Sequence, residues 1–288
     1  MDTFHLNIAQ IEFQISTDWA LAVEPQFIPF LTDGSAPWQE RMTHSCVEEF
    51  PPAASLGEWC NGFCRGLLAD GRSCTLCRLS DKAAPYMMAI DCGPGDRHIL
   101  IQRSSRELPL SMLKIFAGIE LEALLLRHDA LLLHSAFIRW RGKAILFSAP
   151  SGTGKSTQAD LWVNCRGAEL LNGDRSALRK QNGSWHAFGL PFAGSSDVYI
   201  QDHAPIGAIV MLSQAKENAL TRLSPVQALR RIYPEFTLHR WDPAFTDRGL
   251  NLILELLESV PVYHLACLPE ESAVELLCDT LTQEMNLC

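Results

Sequence analysis

The stretch LFSAPSGTGKST, residues 146–157, decides how the rest of the chain is read. It nearly meets the phosphate-binding pattern G-x-x-x-x-G-K-[ST], with Ala149 where the pattern has its first glycine. Glycines at 152 and 154 let backbone amides approach phosphate oxygens, and a following helix points its positive end at the same spot. On this reading the cradle is Pro150, Ser151, Gly152, Thr153, Gly154, Lys155, Ser156 and Thr157. Lys155 would reach the β- and γ-phosphates of a nucleotide, and the Ser156 hydroxyl would hold Mg²⁺. The methyl of Ala149 is tolerable provided its φ stays negative.

The neighbours supply the context such a loop needs. AILFSA (144–149) is β-like and STQADLWVNC (156–165) is helical, ending near Gly167. Upstream, SMLKIFAGIELEALLLRH (111–128) spreads Leu113, Phe116, Ala117, Leu121, Leu124 and Leu125 over a helical face. The run ALLLHSAFIRW (130–140) is a strand, joined to 144–149 by a turn at Arg141-Gly142-Lys143. Downstream, ELLN (169–172) reads as a short strand. ALRKQNGSWHAF (177–188) reads as a hairpin turning at Asn182-Gly183, and PIGAIVMLSQ (205–214) as a buried strand. Helix, helix, strand and helix then follow to the end. Ser224-Pro225 and Pro269 with its two glutamates mark helix starts.

Transfer chemistry also needs a carboxylate. Asp174, in LLNGDRSAL (170–178), follows a short apolar strand, the place for a metal ligand or base beside such a loop; as a turn residue it would need no such role. His134 lies within the preceding strand, where a lone histidine is commonly a satisfied core residue.

Taken together, LLHSAF (132–137), SGTGKST (151–157) and LLNGDR (170–175) resemble the P-loop fold shared by phosphoenolpyruvate carboxykinase and HPr kinase/phosphorylase. There a histidine strand, a loop S-G-x-G-K-[ST] and a strand end with two acids occur in this order. The resemblance covers about 130–215 and extends plausibly through the helical tail to 288, leaving 1–108 outside. It implies that Lys155 and Ser156 bind ATP phosphates and Mg²⁺, and that Asp174 organises the metal or accepts a proton. His134 falls on the active-site histidine, and Arg175 could brace the transferring phosphoryl group. Two departures stand out: the first acidic position is Gly173, and no counterpart of the C-terminal signature for reversal is present. The missing signature argues against phosphorylase activity and against HPr itself as acceptor, and the missing aspartate pair, in a chain about half the usual length, against carboxykinase activity.

The expected fold is α/β: a P-loop domain of this type with a mixed sheet (109–288), preceded by a smaller β-rich domain (1–108). The expected function is ATP- and Mg²⁺-dependent transfer of the γ-phosphoryl group to a hydroxyl, serine foremost, of a protein or peptide. A small metabolite as acceptor, or a non-catalytic nucleotide-gated module, are the alternatives. The small-residue loop Gly194-Ser195-Ser196 would contact the acceptor, cover the phosphates or be plain surface. Arg222, Arg230 and Arg231 would be a solvated helix face or engage an acidic acceptor.

Bulk properties bound the partners. The net charge of -9, with no basic block, disfavours nucleic acid. The N-terminus MDTFHLNIAQIEF lacks a signal-peptide pattern, and charges interrupt the most apolar window (110–138), so a cytoplasmic protein off the membrane is expected. The relatives' ring-like oligomers leave a homo-oligomer open. Ten cysteines without a secretory signal are reduced thiols or metal ligands. Cys60, Cys64, Cys74 and Cys77 either hold a structural zinc or are buried thiols of a hairpin around Asp70-Gly71, with Cys64 facing Cys74; the hairpin is the favoured reading. Cys46, Cys92, Cys165, Cys267, Cys278 and Cys288 show no nucleophile pattern.

Overall fold

The computed structural model describes residues 1–104, 111–118, 120–192, 194–239 and 242–284, side chains at 117 and 195 excepted. The expected domain boundary at 108/109, Cys288, and the side chains of Ala117 and Ser195 therefore lie outside the described set. The chain divides into two compact units, Met1–Leu121 and Glu122–Cys288. It is a mixed α/β protein with two eight-stranded sheets. No described helix is long and apolar enough to cross a membrane.

Unit one carries β1 (Asp2–Ile8), β2 (Ile11–Thr17), β3 (Glu40–Val47), β4 (Ala53–Leu56), β5 (Phe63–Leu68), β6 (Ser73–Cys77), β7 (Met87–Gly93), β8 (Asp96–Gln102) and α1 (Met112–Gly118). The sheet order is β1-β2-β3-β8-β7-β6-β5-β4, with β3 parallel to both neighbours and the other pairs antiparallel. Strict alternation in β2 buries Ile11, Phe13 and Ile15 on one face. Phe116 of α1 meets Phe13 edge-on and stacks on Phe27. The β1–β2 turn puts Ala9 and Gln10 at φ 53° and 60°, without glycine. Asn7 holds it, accepting from Gln10 N–H and donating to Glu12 Oε1.

The cysteine hairpin forms, in a register that puts Cys64 and Cys74 on one face without pairing them directly. Cys64 pairs with Leu76 and Cys74 with Gly66, so Cys64 and Cys74 are diagonal neighbours rather than facing partners. Both enter a small core with Leu76, Met88 and Ile90. Cys77, opposite Phe63, is an odd number of residues from Cys74 and points to the other face. All four are free thiols, and burial pushes Cys64, Cys74 and Cys77 upward, favouring the protonated form. Among the described residues no three His, Cys, Asp or Glu side chains gather as a metal site. This donor set does not fit a Cys₄ zinc.

One buried group makes unit one acid-sensitive. His44 on β3 is 1% exposed, edge-on to Trp19, and its Nδ1 has no hydrogen-bond partner. Burial lowers its pKa to about 4, so it folds neutral and protonates on unfolding below its ordinary value of 6.5. Stability is therefore full above pH 6.5 and falls towards pH 4, by about 3 kcal/mol in total. Burial lowers the pKa of His98 in the same unit as well, so replacing His44 with Met should make this slope shallower, with the His98 part remaining, in urea unfolding followed from pH 7 to 4.5. An unchanged slope would discharge His44 from the role.

Unit two begins within α2 (Leu121–Arg127). The single helix expected over 111–128 is two helices: α1 stops at Gly118, a poor helix former, and Glu120 adopts a left-handed φ of 51°. Then come β9 (Ala130–Trp140), β10 (Lys143–Ser148), α3 (Lys155–Arg166), β11 (Glu169–Asn172), β12 (Arg175–Gln181), β13 (Ser184–Phe188), β14 (His203–Gln214), β15 (Ala219–Arg222), α4 (Pro225–Ile232), α5 (Pro243–Ser259), β16 (Val262–Cys267) and α6 (Glu271–Glu284). The path runs β10-β9-β12-β13-β14-β16-β15; β14 also pairs with β10, and β11 with β9.

Strands β10, β14 and β16 are parallel and the rest of the path is antiparallel. Helices α4 and α5 cover one face through Ala228, Ile232, Ile253 and Leu256. On the other face α3 and α6 contribute Ala159, Trp162, Val274 and Leu277. Left-handed pairs turn the hairpins at Arg141-Gly142 and Asn182-Gly183. Gly167 closes α3 at φ 62°. Ser224 starts α4 with a reciprocal capping box to Gln227.

Candidate functional site

The glycine loop leaves the end of β10 and enters α3. Ala149 is fully buried in the core beneath it and is not among the positive-φ residues, so its methyl costs the turn nothing. Gly152 and Gly154 have φ of 78° and 119°, and a Cβ at either would meet no atom within 4 Å. Glycine is required there by backbone conformation, with open space in front of the loop. Thr153 N–H closes the loop onto Pro150 O at 3.3 Å. Ser156 and Thr157 are exposed on the first turn of α3. Lys155 is 8% exposed and folds under the loop, its Nζ donating to Ala149 O at 2.9 Å. Burial lowers its pKa, while Glu235 and Asp174 act in the opposite sense.

Asp174 sits where the strand opposite β9 changes from β11 to β12. Asn172, fully buried, makes that turn: Nδ2 donates to Leu190 O and Phe192 O, and Oδ1 accepts from the amides of Asp174 and Arg175. The Ser135 amide donates to Asp174 O at 3.0 Å, and His134 pairs in register with Arg175. The structure thus brings His134, Asp174 and Arg175 together. His134 Nε2 lies 3.8 Å from Asp174 Oδ1, and Arg175 Nε 3.5 Å from Asp174 Oδ2. Arg175 also donates to Thr237 Oγ1 at 3.0 Å. Beneath them, Ser148 Oγ donates to His134 O and Ser135 Oγ to Ser176 Oγ.

The loop at 194–196 lies directly over this turn. A Cβ on Gly194, at φ 56°, would come within 2.7 Å of Asp174 Cβ. The arginines disperse: Arg222 is on β15 rather than a helix and pairs with Glu284, while Arg230 and Arg231 are exposed on the last turn of α4. Residues that the sequence reading passed over complete the site. Glu235, on a one-turn 3₁₀ segment after α4, places Oε2 3.2 Å from His134 Nδ1. Glu122 of α2 accepts from His239 Nε2 at 2.8 Å; burial works against its ionisation, but that bond and the nearby Arg175 hold its carboxyl below the usual value.

Beside the loop, at the C-terminal ends of the parallel strands, lies an open cavity of about 440 Å³. Gly152, Thr157 and Gln158 line one side, Gln214, Ala215 and Leu268 the other, and no charged residue contributes. Gln158 is 2% exposed; its Nε2 donates to Leu268 O at 3.4 Å, and its Oε1 accepts nothing.

Comparison with curated proteins gives no match. Among solved structures, the HPr(Ser) kinase/phosphatase from Coxiella burnetii is similar at 13% identity, over 54% of this chain and 90% of that one, with a TM-score of 0.33. A family model described as "SynChlorMet cassette protein ScmC" matches residues 99–269, more than half of the 288-residue chain and the whole of the site above. The chain belongs to the ScmC family.

Proposed function

We propose that the chain is an ATP- and Mg²⁺-dependent phosphotransferase that moves the γ-phosphoryl group to a hydroxyl, serine foremost, of a protein or peptide. The observation that carries this reading is the buried Lys155 beneath an open glycine loop, within electrostatic reach of Asp174 in its cluster with His134 and Arg175. An apolar core has no use for that combination, and phosphoryl transfer consists largely of it. The substrate's phosphates would take the loop amides, with Lys155 turning from Ala149 O to meet them. Mg²⁺ bound with a nucleotide needs one or two protein ligands, and Ser156 and Asp174 are suited to the task. Bound there, the ion would neutralise charge on the phosphates. Asp174 takes the hydroxyl proton as the acceptor oxygen forms its bond to the γ-phosphorus and the bond to the β-phosphate oxygen breaks. Arg175 offers charge to the moving group.

The adjoining cavity favours a nucleotide over inorganic pyrophosphate as donor. Its uncharged lining and volume suit a nucleoside, which the phosphates alone would not need. Calorimetry with ATP and with tripolyphosphate tests this. Wild type should bind both, ATP more tightly. Filling the cavity by Ala215→Trp should weaken ATP by on the order of tenfold or more and spare tripolyphosphate. Binding of neither ligand by the wild type would refute the reading of the loop.

A further inference from the structure

Where the resembling enzymes carry a first acid, this chain has Gly173, and the fold leaves no room for a side chain there. A Cβ on Gly173 would overlap Ser196 Oγ and Cβ, because the 194–196 loop lies against it. A second carboxylate nevertheless reaches the histidine from a distant part of the chain. Glu235 is 101 residues from His134 in sequence, yet its Oε2 is 3.2 Å from His134 Nδ1. Its side chain is 9% exposed against 32% for Asp174, so solvent screens this contact less.

The backbone around Glu235 is fastened to the strand that carries His134. Leu133 and Phe236 form a bridge, and Thr237 N–H donates to Leu132 O at 2.9 Å. Phe236 is 3% exposed and anchors in the core, and Thr237 takes the bond from Arg175. Pro234 at the start of the same turn restricts φ. Glu235 is therefore built in place, with its carboxylate on one ring nitrogen and Asp174 facing the other.

We propose that Glu235 is the positioning carboxylate of this site: it accepts Nδ1–H of His134 and so leaves Nε2 as the nitrogen turned towards Asp174. The tautomer follows from the two distances: Glu235 Oε2, 3.2 Å from Nδ1, is within hydrogen-bond reach, whereas Asp174 Oδ1, 3.8 Å from Nε2, is not, so the single N–H of the neutral ring belongs on Nδ1. The consequence for transfer rests on the phosphotransferase reading. Held at Nδ1 by Glu235, the ring keeps Nε2 facing the Asp174 carboxylate while transfer takes place.

The test reads the tautomer on the full-length protein without nucleotide, by long-range proton–nitrogen NMR of labelled imidazoles at mildly alkaline pH. His134→Gln assigns the signal. Wild type should show the proton on Nδ1. Glu235→Ala should shift it towards Nε2, and Glu235→Gln, which keeps an acceptor oxygen, should restore Nδ1. Transfer by Glu235→Ala should fall on the order of 10- to 100-fold with ATP affinity retained. A wild-type proton on Nε2, or a tautomer unmoved by Glu235→Ala, would overturn the assignment; the wild-type spectrum decides even if that variant does not fold. Absence of phosphoryl transfer in the wild type would refute the function and leave the tautomer result intact.

Discussion

Asp174→Asn should bind ATP as the wild type does and lose phosphoryl transfer by about 10²-fold or more. Asparagine has the same shape and can keep the packing against Gly194 and a contact to Arg175. The turn itself hangs on Asn172 and on the Ser135 amide bond, so the backbone should not move. On the proposed mechanism, what is lost is the ability to take a proton and part of the hold on the metal. Calorimetric ATP binding beside initial rates of label transfer checks both halves. Transfer near the wild-type rate would remove Asp174 from the mechanism, and loss of ATP binding would make it a binding residue instead.

Lys155→Ala should weaken ATP and tripolyphosphate alike, on the order of 10- to 100-fold, the scale of losing one charge-assisted hydrogen bond to phosphate. Turnover should fall further, because the same ammonium meets charge that grows during transfer. The amine's bond to Ala149 O is lost as well, so thermal unfolding belongs beside the binding data. Unchanged affinity and rate would mean that the loop does not cradle phosphate, whatever its shape. The contrast with Ala215→Trp is diagnostic: one variant should lose both ligands and the other only the nucleotide.

Local chemistry made much of unit two legible in sequence. Arg141-Gly142 and Asn182-Gly183 occupy left-handed positions at hairpin turns, Gly167 stops α3, and Ser224 with Gln227 starts α4. Each is a signal confined to a few residues. Where the chain surprised, the cause lies outside such windows. The β1–β2 turn uses Ala9 and Gln10, neither a turn former, because a nearby asparagine side chain closes it. The break at Gly118–Glu120 sits inside an apolar run whose helical period gives no warning. β15, only four residues long and carrying Arg222, is a strand by virtue of pairing with β16.

The site divides in the same way. Lys155, Asp174, Arg175 and His134 lie in short motifs within about 40 residues of one another, and the sheet brings the last three together through one antiparallel register. Glu235, Thr237, Glu122 and His239 arrive from the helical tail and from α2, with no motif around them. A proline-bearing turn after a capped helix reads as a helix end, and its contact with β9 exists only once the chain has folded. The thiols teach the same lesson: spacing alone allows a zinc site, and strand register sends Cys77 away from Cys64 and Cys74.

The most direct test of the account is transfer of label from γ-labelled ATP, with Mg²⁺, into an extract of the source cells. Protein, peptide and small-molecule fractions are separated, and Asp174→Asn protein serves as control. The account predicts label in a protein or peptide fraction, on a hydroxyl, dependent on the wild-type chain and lost with Asp174→Asn. Label only as free phosphate, or none above the control, would contradict it.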